Sequence, residues 1–372
     1  MTWCRIITFI FLSCLGGLVS PGWAQKAIVE TRAIDSLKHV IFANKRLKVS
    51  NNLLLKNTCD LAGYYRLINP DSAIHYYEVA QTLAKTANVD SLDAFLNEQL
   101  GNLYLAKGMT FTALEYFFTN YKLHQKSGDL GSIAFTLCDI GNTYFASLMY
   151  DEALVYYRKS IKIFESINHN YGKSVIYNNL GMVYTVKNNY DSALYYYEKS
   201  LQLRKQMNDH FLVIHTRSYI ARLYLNMNKP EEALRVLDEA LYLLNNINLP
   251  YNEEVEYRVE MLVMKSKAWS GLKNFYAARE NLNAAFKIAE EVNSNYLKSE
   301  IYFNLAMLEN EMGRSKEALR NVQAALELSS KGENFTVYRS ALFWLASLNE
   351  KLGRTKIPRS IIKKLFTTVI HY

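Results

Sequence analysis

Small and aromatic residues recur along the chain at helical spacing, and short polar breaks separate them. Residues 174–201, SVIYNNLGMVYTVKNNYDSALYYYEKSL, display the pattern most clearly. Leu180, Gly181 and Tyr184 fall on one helical face, because residues three and four apart are neighbours on a helix surface. After the polar break NNYD, the members of a second face are Ala193, Tyr197 and Ser200. The stretch therefore predicts a helix, a turn and a second helix.

The same pattern returns at a fixed interval, with steps of 40 residues and one fifth step of 45. The residues equivalent to the small Gly181 in the successive first helices are Leu61, Gly101, Gly141, Gly181, Ala221, Ser266, Ala306 and Ala346. Three residues later the chain has Tyr64, Tyr104, Tyr144, Tyr184, Tyr224, Trp269, Glu309 and Asn349, so the aromatic residue lapses in the last two repeats. The alanines of the second helices are Ala73, Ala113, Ala153, Ala193, Ala233, Ala278 and Ala318. Such self-similarity indicates a repeat solenoid.

The spacing also assigns packing roles. A glycine or alanine on the first helix lets the second helix approach closely, and an aromatic residue fills the groove beside it. The residues assigned to packing within repeats are Gly101, Tyr104, Ala113, Gly141, Tyr144, Ala153, Gly181, Tyr184, Ala193, Tyr197, Ala221, Tyr224, Ala233, Ala278 and Ala318. Most of the tyrosines in the chain are interpreted as packing residues rather than as a binding motif.

These positions resemble the tetratricopeptide repeat (TPR) family, whose pattern has small residues at positions eight and twenty-seven, aromatics at eleven and twenty-four, and alanine at twenty. The resemblance covers residues 54–351 and is closest in repeats 2 to 5. It implies an all-α fold, a right-handed superhelical solenoid of about eight antiparallel helix pairs. Because the family's usual period is about 34 residues, we expect longer helices or loops here. HEAT-like repeats have a period near 40 and are the alternative fold, but the glycine, alanine and tyrosine offsets favour TPR.

The flanks of the repeats differ from them in composition. Residues 1–24 have an apolar run from Ile6 to Val19, a single charge at Arg5 and a small-residue end, which predicts a signal peptide and a periplasmic or secreted protein. An envelope lipoprotein acylated on Cys14 is the alternative. A retained membrane anchor is disfavoured, because a membrane-spanning helix needs about 20 apolar residues.

Four segments follow from these observations. Residues 1–24 form the signal peptide, and residues 25–53 form an N-terminal capping helix region. The TPR-like helical repeats occupy residues 54–351, with starts near 54, 94, 134, 174, 214, 259, 299 and 339. Residues 352–372 form a basic amphipathic tail, predicted to be a capping helix.

Charge argues against a nucleic-acid partner. The chain has 43 basic and 35 acidic residues. Seven of the basic residues lie outside residues 25–350: Arg5, Lys351, Arg354, Lys356, Arg359, Lys363 and Lys364. Residues 25–350 therefore contain 36 basic and 35 acidic residues and are nearly neutral. A nucleic-acid-binding domain usually has its basic residues clustered on one face. We expect membrane contact only through an uncleaved or lipidated N-terminus or through the basic tail.

Signals for catalysis are absent from the sequence. It has no GxxxxGK[ST], GxGxxG or HExxH motif, and its seven histidines are scattered. We therefore predict no catalytic residue, no cofactor and no metal site.

The resemblance implies a groove lined by the first helices. Counted from each repeat start, positions two, five, nine, twelve and thirteen face that groove in the family. The predicted peptide-binding residues are Phe95, Asn102, Phe135, Asn142, Phe145, Asn178, Met182, Arg222 and Lys267, with Glu98, Cys138, His215 and Ser218 beside them. Asn102 and Asn142 are equivalent, so their amides would bind the backbone of an extended peptide between apolar pockets formed by the phenylalanines.

The clamp for chaperone tails in some relatives needs a lysine near Glu98 and basic residues near Val175 and Asn179. This chain lacks them, which excludes that ligand. The sequence thus predicts a non-enzymatic scaffold that binds a protein or peptide partner. The alternative is the sensory half of an exported TPR-containing signalling regulator that lacks its membrane and output domains, and an enzyme is less favoured than either.

Overall fold

A computed structural model describes residues 34–41, 51–87, 89, 92–331 and 334–352. All regular secondary structure among these residues is helical. The predicted signal peptide and the predicted tail after residue 352 lie outside the described residues.

The helices are α1 (34–41), α2 (Asn51–Ile68), α3 (Pro70–Thr86), α4 (Asp93–Ala106), α5 (Thr110–Ser127), α6 (Leu130–Ala146), α7 (Tyr150–Ser166), α8 (Asn170–Val186), α9 (Tyr190–Gln206), α10 (His210–Asn226), α11 (Pro230–Asn245), α12 (Tyr251–Gly271), α13 (Phe275–Glu291), α14 (Asn295–Glu311), α15 (Ser315–Lys331) and α16 (Phe335–Lys351). Even-numbered helices are the first helices of repeats 1 to 8. Each described first helix of repeats 1 to 7 packs against the helix that follows it.

Two 17-residue helices and two three-residue connections account for the 40-residue period. The helices from α6 to α10 all have this length. Each connection contains one residue with positive φ, so these residues recur every 20 positions: Gly108, Gly128, Leu148, Asn168, Asn188, Asn208 and Asn228. Glycine and asparagine suit these sites because the left-handed conformation costs them least. Longer helices than the family's usual ones therefore explain the longer repeat.

The 45-residue step comes mainly from one helix. Helix α12 has 21 residues, whereas the other first helices from α6 onward have 17. This difference supplies four of the five additional residues.

Close approach of the paired helices depends on the small residues of the pattern. A Cβ atom on Gly181 would lie 2.6 Å from ring atoms of Tyr197, and one on Gly141 would lie equally close to Tyr157. Since real Cβ atoms do not come this near, only glycine permits these rings to lie on the first helix. The second-helix alanines Ala153 and Ala193 are completely buried.

The described residues form two compact units, which divide between Leu203 and Arg204 within α9. The N-terminal unit has hydrophobic clusters such as that of Tyr77, Leu96 and Leu100. The C-terminal unit has its own, including Val259, Leu282 and Ile301. The predicted all-α fold of repeated helix pairs is confirmed in each unit.

Helix α1 lies against the first repeat. Ile34 and Ile41 of α1 are buried in one cluster with Leu54 and Leu61 of α2. The helix thus covers apolar surface that the first repeat would otherwise expose.

Candidate functional site

The predicted groove residues lie on the first helices, and we call the surface that carries them the first-helix face. First helices of consecutive repeats contact each other directly, as α6 and α8 do in the N-terminal unit and α12 and α14 do in the C-terminal unit.

In the N-terminal unit, Asn142 is held by hydrogen bonds within the protein. Its Oδ1 accepts a bond of 2.7 Å from the Tyr157 hydroxyl and one of 3.0 Å from Nδ2 of Asn179. Nδ2 of Asn179 also lies 3.5 Å from Sγ of Cys138. This network joins α6, α7 and α8, so the Asn142 amide oxygen is already used to hold repeats 3 and 4 together.

Asn102 has a different environment, although it is equivalent to Asn142. Its side chain makes no hydrogen bond to another described residue, and only 8% of its surface is exposed. The reason lies in two substitutions between the repeats. Phe117 stands where repeat 3 has Tyr157, so no hydroxyl reaches the amide, and Asp139 stands where repeat 4 has Asn179. The two asparagines that the sequence treats alike are therefore chemically distinct.

Two carboxyl groups lie near Asn102. Asp139 of α6 is only 7% exposed, and burial together with the charge of Glu98 raises its pKa well above the usual range. Glu98 of α4 is half-buried, and burial raises its pKa as well. Neither carboxylate has a hydrogen bond or an ion pair with another described residue. Sequence reasoning placed Glu98 on this face but missed Asp139, because position six was not counted among the groove positions.

The predicted phenylalanines are packed between helices. The Phe95 ring meets that of Tyr77 edge-on at 6.3 Å, and the Phe135 ring meets that of Phe164 at 4.8 Å. Phe145 packs on Tyr150 at 5.5 Å. All three phenylalanines are half-buried, so they line the face as partly accessible apolar walls.

Asn178 and Met182 lie one helical turn apart on α8. Nδ2 of Asn178 is 3.9 Å from Sδ of Met182, while its Oδ1 is buried without a hydrogen-bond partner. Met182 is half-buried. An unsatisfied buried oxygen is uncommon, because folded proteins pair nearly all buried polar groups.

In the C-terminal unit the first-helix face is charged. The predicted residue Arg222 of α10 forms an ion pair with Glu260 of α12, with 2.5 Å between Nη2 and Oε1. Burial raises the pKa of Glu300 on α14, and the charge of the predicted residue Lys267 partly offsets this. Burial raises the pKa of Glu256 to about 7, and Glu253 and Glu260 add to the effect.

The groove prediction omitted these glutamates, although two of them occupy positions that it assigned to the groove. Glu260 and Glu300 occupy position two of repeats 6 and 7, the position of Phe95 and Phe135 in earlier repeats. Glu256 lies one turn before the counted start of repeat 6. Because α12 is longer than the other first helices, Glu256 falls before the positions that were counted for repeat 6.

His215 and a small cavity complete the C-terminal face. His215 is buried, and burial and the charge of Arg204 lower its pKa to about 3, so its ring is neutral at pH 7. Ser270 and Glu311, which hydrogen bond to each other, help to line a cavity of about 70 Å³ that also includes Lys267.

The described part of the chain shows neither a metal site nor a membrane-spanning helix. It has no group of three or more His, Cys, Asp or Glu residues placed to hold a metal ion. None of its helices is long and apolar enough to cross a membrane.

Tetratricopeptide repeat family models match residues 92–166, 173–245 and 299–331. The chain belongs to the tetratricopeptide repeat family. The matched residues include the glycine, tyrosine and alanine series of repeats 2 to 5, and the 40-residue period is a longer form of the TPR repeat. No curated protein matches the chain significantly.

Several solved structures have the same fold as this chain. The apo quorum sensor NprR from B. thuringiensis is 17% identical, with 82% of this chain and 85% of that one covered and a TM-score of 0.63. NprR in complex with its cognate peptide NprX is 13% identical, with 85% and 87% covered and a TM-score of 0.55. Aspartyl phosphate phosphatase F from Bacillus subtilis is 13% identical, with 77% and 73% covered and a TM-score of 0.59. At these identities the likeness extends to the fold alone.

Proposed function

We propose that this TPR protein is a non-enzymatic scaffold that binds a peptide or an extended protein segment on the first-helix face of its N-terminal unit. The observation that carries the proposal is the Asn102 side chain, which is almost buried yet has no hydrogen bond within the described protein. Its amide oxygen and nitrogen reach the protein surface, so their donor and acceptor capacity is open to a ligand.

The neighbouring side chains suit an extended peptide. An asparagine amide can donate to a backbone carbonyl and accept from a backbone N–H of the same segment. Half-buried Phe95 and Phe135 offer apolar surface for alternate side chains of that segment. The complex of NprR with the peptide NprX supports the proposal only in that a protein of this fold has a peptide ligand.

The test uses capture of a partner from envelope extract with the purified chain. Asn102→Ala is expected to lose the partner that the wild-type chain retains. Asn283→Ala, on the exposed surface of α13, is the matched control and is expected to retain it. Asn142 is left unchanged, because its loss would disturb the contact between repeats 3 and 4. Equal capture by Asn102→Ala and the wild type would disprove the role of this face.

We propose also that binding takes place outside the cytoplasm, since residues 1–24 have the pattern of a signal peptide. Mass spectrometry of the protein from the envelope fraction is expected to find a chain that begins at Gln25. A lipid-modified chain beginning at Cys14 would support the lipoprotein alternative, and retention of Met1 would contradict export by cleavage.

A further inference from the structure

Repeat symmetry places Glu98, Asn102 and Asp139 together. In repeats 3 and 4, Asn179 lies 3.5 Å from Sγ of Cys138 and 3.0 Å from Oδ1 of Asn142. One repeat earlier, the residues at these three positions are Asp139, Glu98 and Asn102 respectively. The register is the same in both repeats, since Gly101 contacts the Phe117 ring as Gly141 contacts the Tyr157 ring. Asp139 therefore lies on the side of α6 that faces α4, and it is near enough for the charge of Glu98 to raise its pKa.

The carboxyl pair lacks a counter-charge. No lysine, arginine or histidine in the described part of the chain hydrogen bonds to Glu98 or Asp139 or forms an ion pair with them. Tyr157 of α7 lies near enough to Asp139 for that charge to raise its pKa, Cys138 precedes Asp139 on α6 and Asn102 follows Glu98 by one turn on α4. None of these three side chains is cationic. Aspartate and glutamate are almost never buried unless they are paired, because a lone buried charge is costly.

Ordinary structural roles do not explain this pair. Asp139 lies in the middle of α6, so it neither caps the helix nor interacts with its N-terminal dipole. Divalent cations usually take several oxygen ligands, and no group of three or more suitable residues exists among those the structure describes. A single positive charge that brings its own hydrogen-bond donors fits the two carboxylates better.

We propose that Glu98 and Asp139 form a pocket on the first-helix face that receives a lysine or arginine side chain of the bound peptide. The inference rests on the proposed function and specifies its ligand. Asn102 would bind the peptide backbone beside this cation.

Aromatic rings next to the acids suit the same ligand. Phe95 precedes Glu98 by three residues and Phe135 precedes Asp139 by four, so each ring shares a helical face with one carboxylate. The aliphatic stems of lysine and arginine pack well on apolar surface while the charged end reaches a polar group. Both rings also attract a cation held over their faces.

The probes are four pools of synthetic heptapeptides whose central residue is lysine, arginine, glutamine or glutamate. The other six positions vary among uncharged residues. Isothermal titration of the full chain is expected to show the lysine and arginine pools binding about tenfold or more tightly than the glutamine pool, as charge-assisted hydrogen bonds are the strong ones. The glutamate pool is expected to bind most weakly.

Two variants localise the preference. Asp139→Asn and Glu98→Gln are each expected to reduce the lysine-over-glutamine ratio towards one. Both keep the size of the side chain and replace a carboxyl group that has no partner in the described protein, so they are expected to fold, and thermal melting checks this. Glu115→Gln, on the exposed side of α5, is the matched control and is expected to keep the full ratio.

The outcomes separate this inference from the function on which it rests. Binding of all pools without preference for a cation overturns the pocket and leaves the peptide-binding function standing. An unchanged preference in both variants also overturns the pocket. If no pool binds, the proposed function fails and the pocket fails with it.

Discussion

The Asn179 side chain donates a hydrogen bond of 3.0 Å to Oδ1 of Asn142, and this bond ties the first helices of two consecutive repeats together. The same oxygen accepts the hydroxyl of buried Tyr157. Loss of the acceptor would leave the Tyr157 hydroxyl without this bond and Nδ2 of Asn179 with only the weak acceptor Sγ of Cys138. The bond thus gives Asn142 a structural role that its equivalent Asn102 does not have.

We predict that Asn142→Ala lowers the free energy of unfolding by about 1–3 kcal/mol, the usual cost of an unsatisfied buried group. Asn102→Ala is the matched comparison and is expected to cost less than about 1 kcal/mol, since it breaks no hydrogen bond within the described protein. Urea denaturation measures both. Equal losses for the two variants would refute the distinction between them.

Ala193 is predicted to tolerate no larger side chain. It is fully buried on α9, and the equivalent residues Ala113 and Ala153 are fully buried as well. Ala193→Leu is expected to lower the free energy of unfolding by about 1–3 kcal/mol through overpacking. Glu198→Leu, on the exposed surface of the same helix, serves as the control. An unchanged melting temperature for Ala193→Leu would contradict the packing role.

Leu148 occupies a position that suits glycine. Its φ is 61° and its side chain is 71% exposed, whereas the equivalent residues are Gly108, Asn188 and Asn228. A side chain such as leucine costs roughly 1–2 kcal/mol in the left-handed conformation, and exposure leaves little packing to offset this. We expect Leu148→Gly to raise stability by about 1 kcal/mol, and Asn188→Leu to lower it by a similar amount. Differential scanning calorimetry detects both, and a drop in melting temperature for Leu148→Gly would rule out strain at this turn.

Glu256 is expected to make stability depend on pH. Because its folded pKa is about 7 and its ordinary value is 4.5, the folded protein holds this proton more tightly than the unfolded chain does. The free energy of unfolding therefore falls as pH rises from about 4.5 to 7, and the loss is complete above that range.

The matching variant is Glu256→Gln, which stays neutral. At pH 8 it is expected to be more stable than the wild type by about 1 kcal/mol, less than the full shift implies because solvent screens a half-buried group. Near pH 4.5 the difference is expected to vanish. Melting curves between pH 4.5 and 8 measure it, with Glu280→Gln on the exposed surface of α13 as the control. A difference that does not change with pH would disprove the assignment.

Much of the fold could be predicted because its determinants are local and repeated. Residues three and four apart share a helical face, so the series through Gly181, Tyr184 and Ala193 was enough to predict the helix pairs and their period. Counting positions then led to Asn102, Asn142 and Glu98 on the first helices. These inferences needed no knowledge of what lies across the helix interface.

The chemistry of the face could not be predicted in that way. Asn102 and Asn142 are equivalent by counting, but Tyr157 and Asn179 approach only Asn142, and both belong to other helices. Asp139 meets Glu98 only because consecutive first helices lie side by side. The sequence by itself therefore determined the repeat, the helix pairs and the residues that pack within them. Only the tertiary structure decided which polar groups are hydrogen bonded internally and which have no partner among the described residues, because burial and hydrogen bonding depend on neighbours that are distant in the chain.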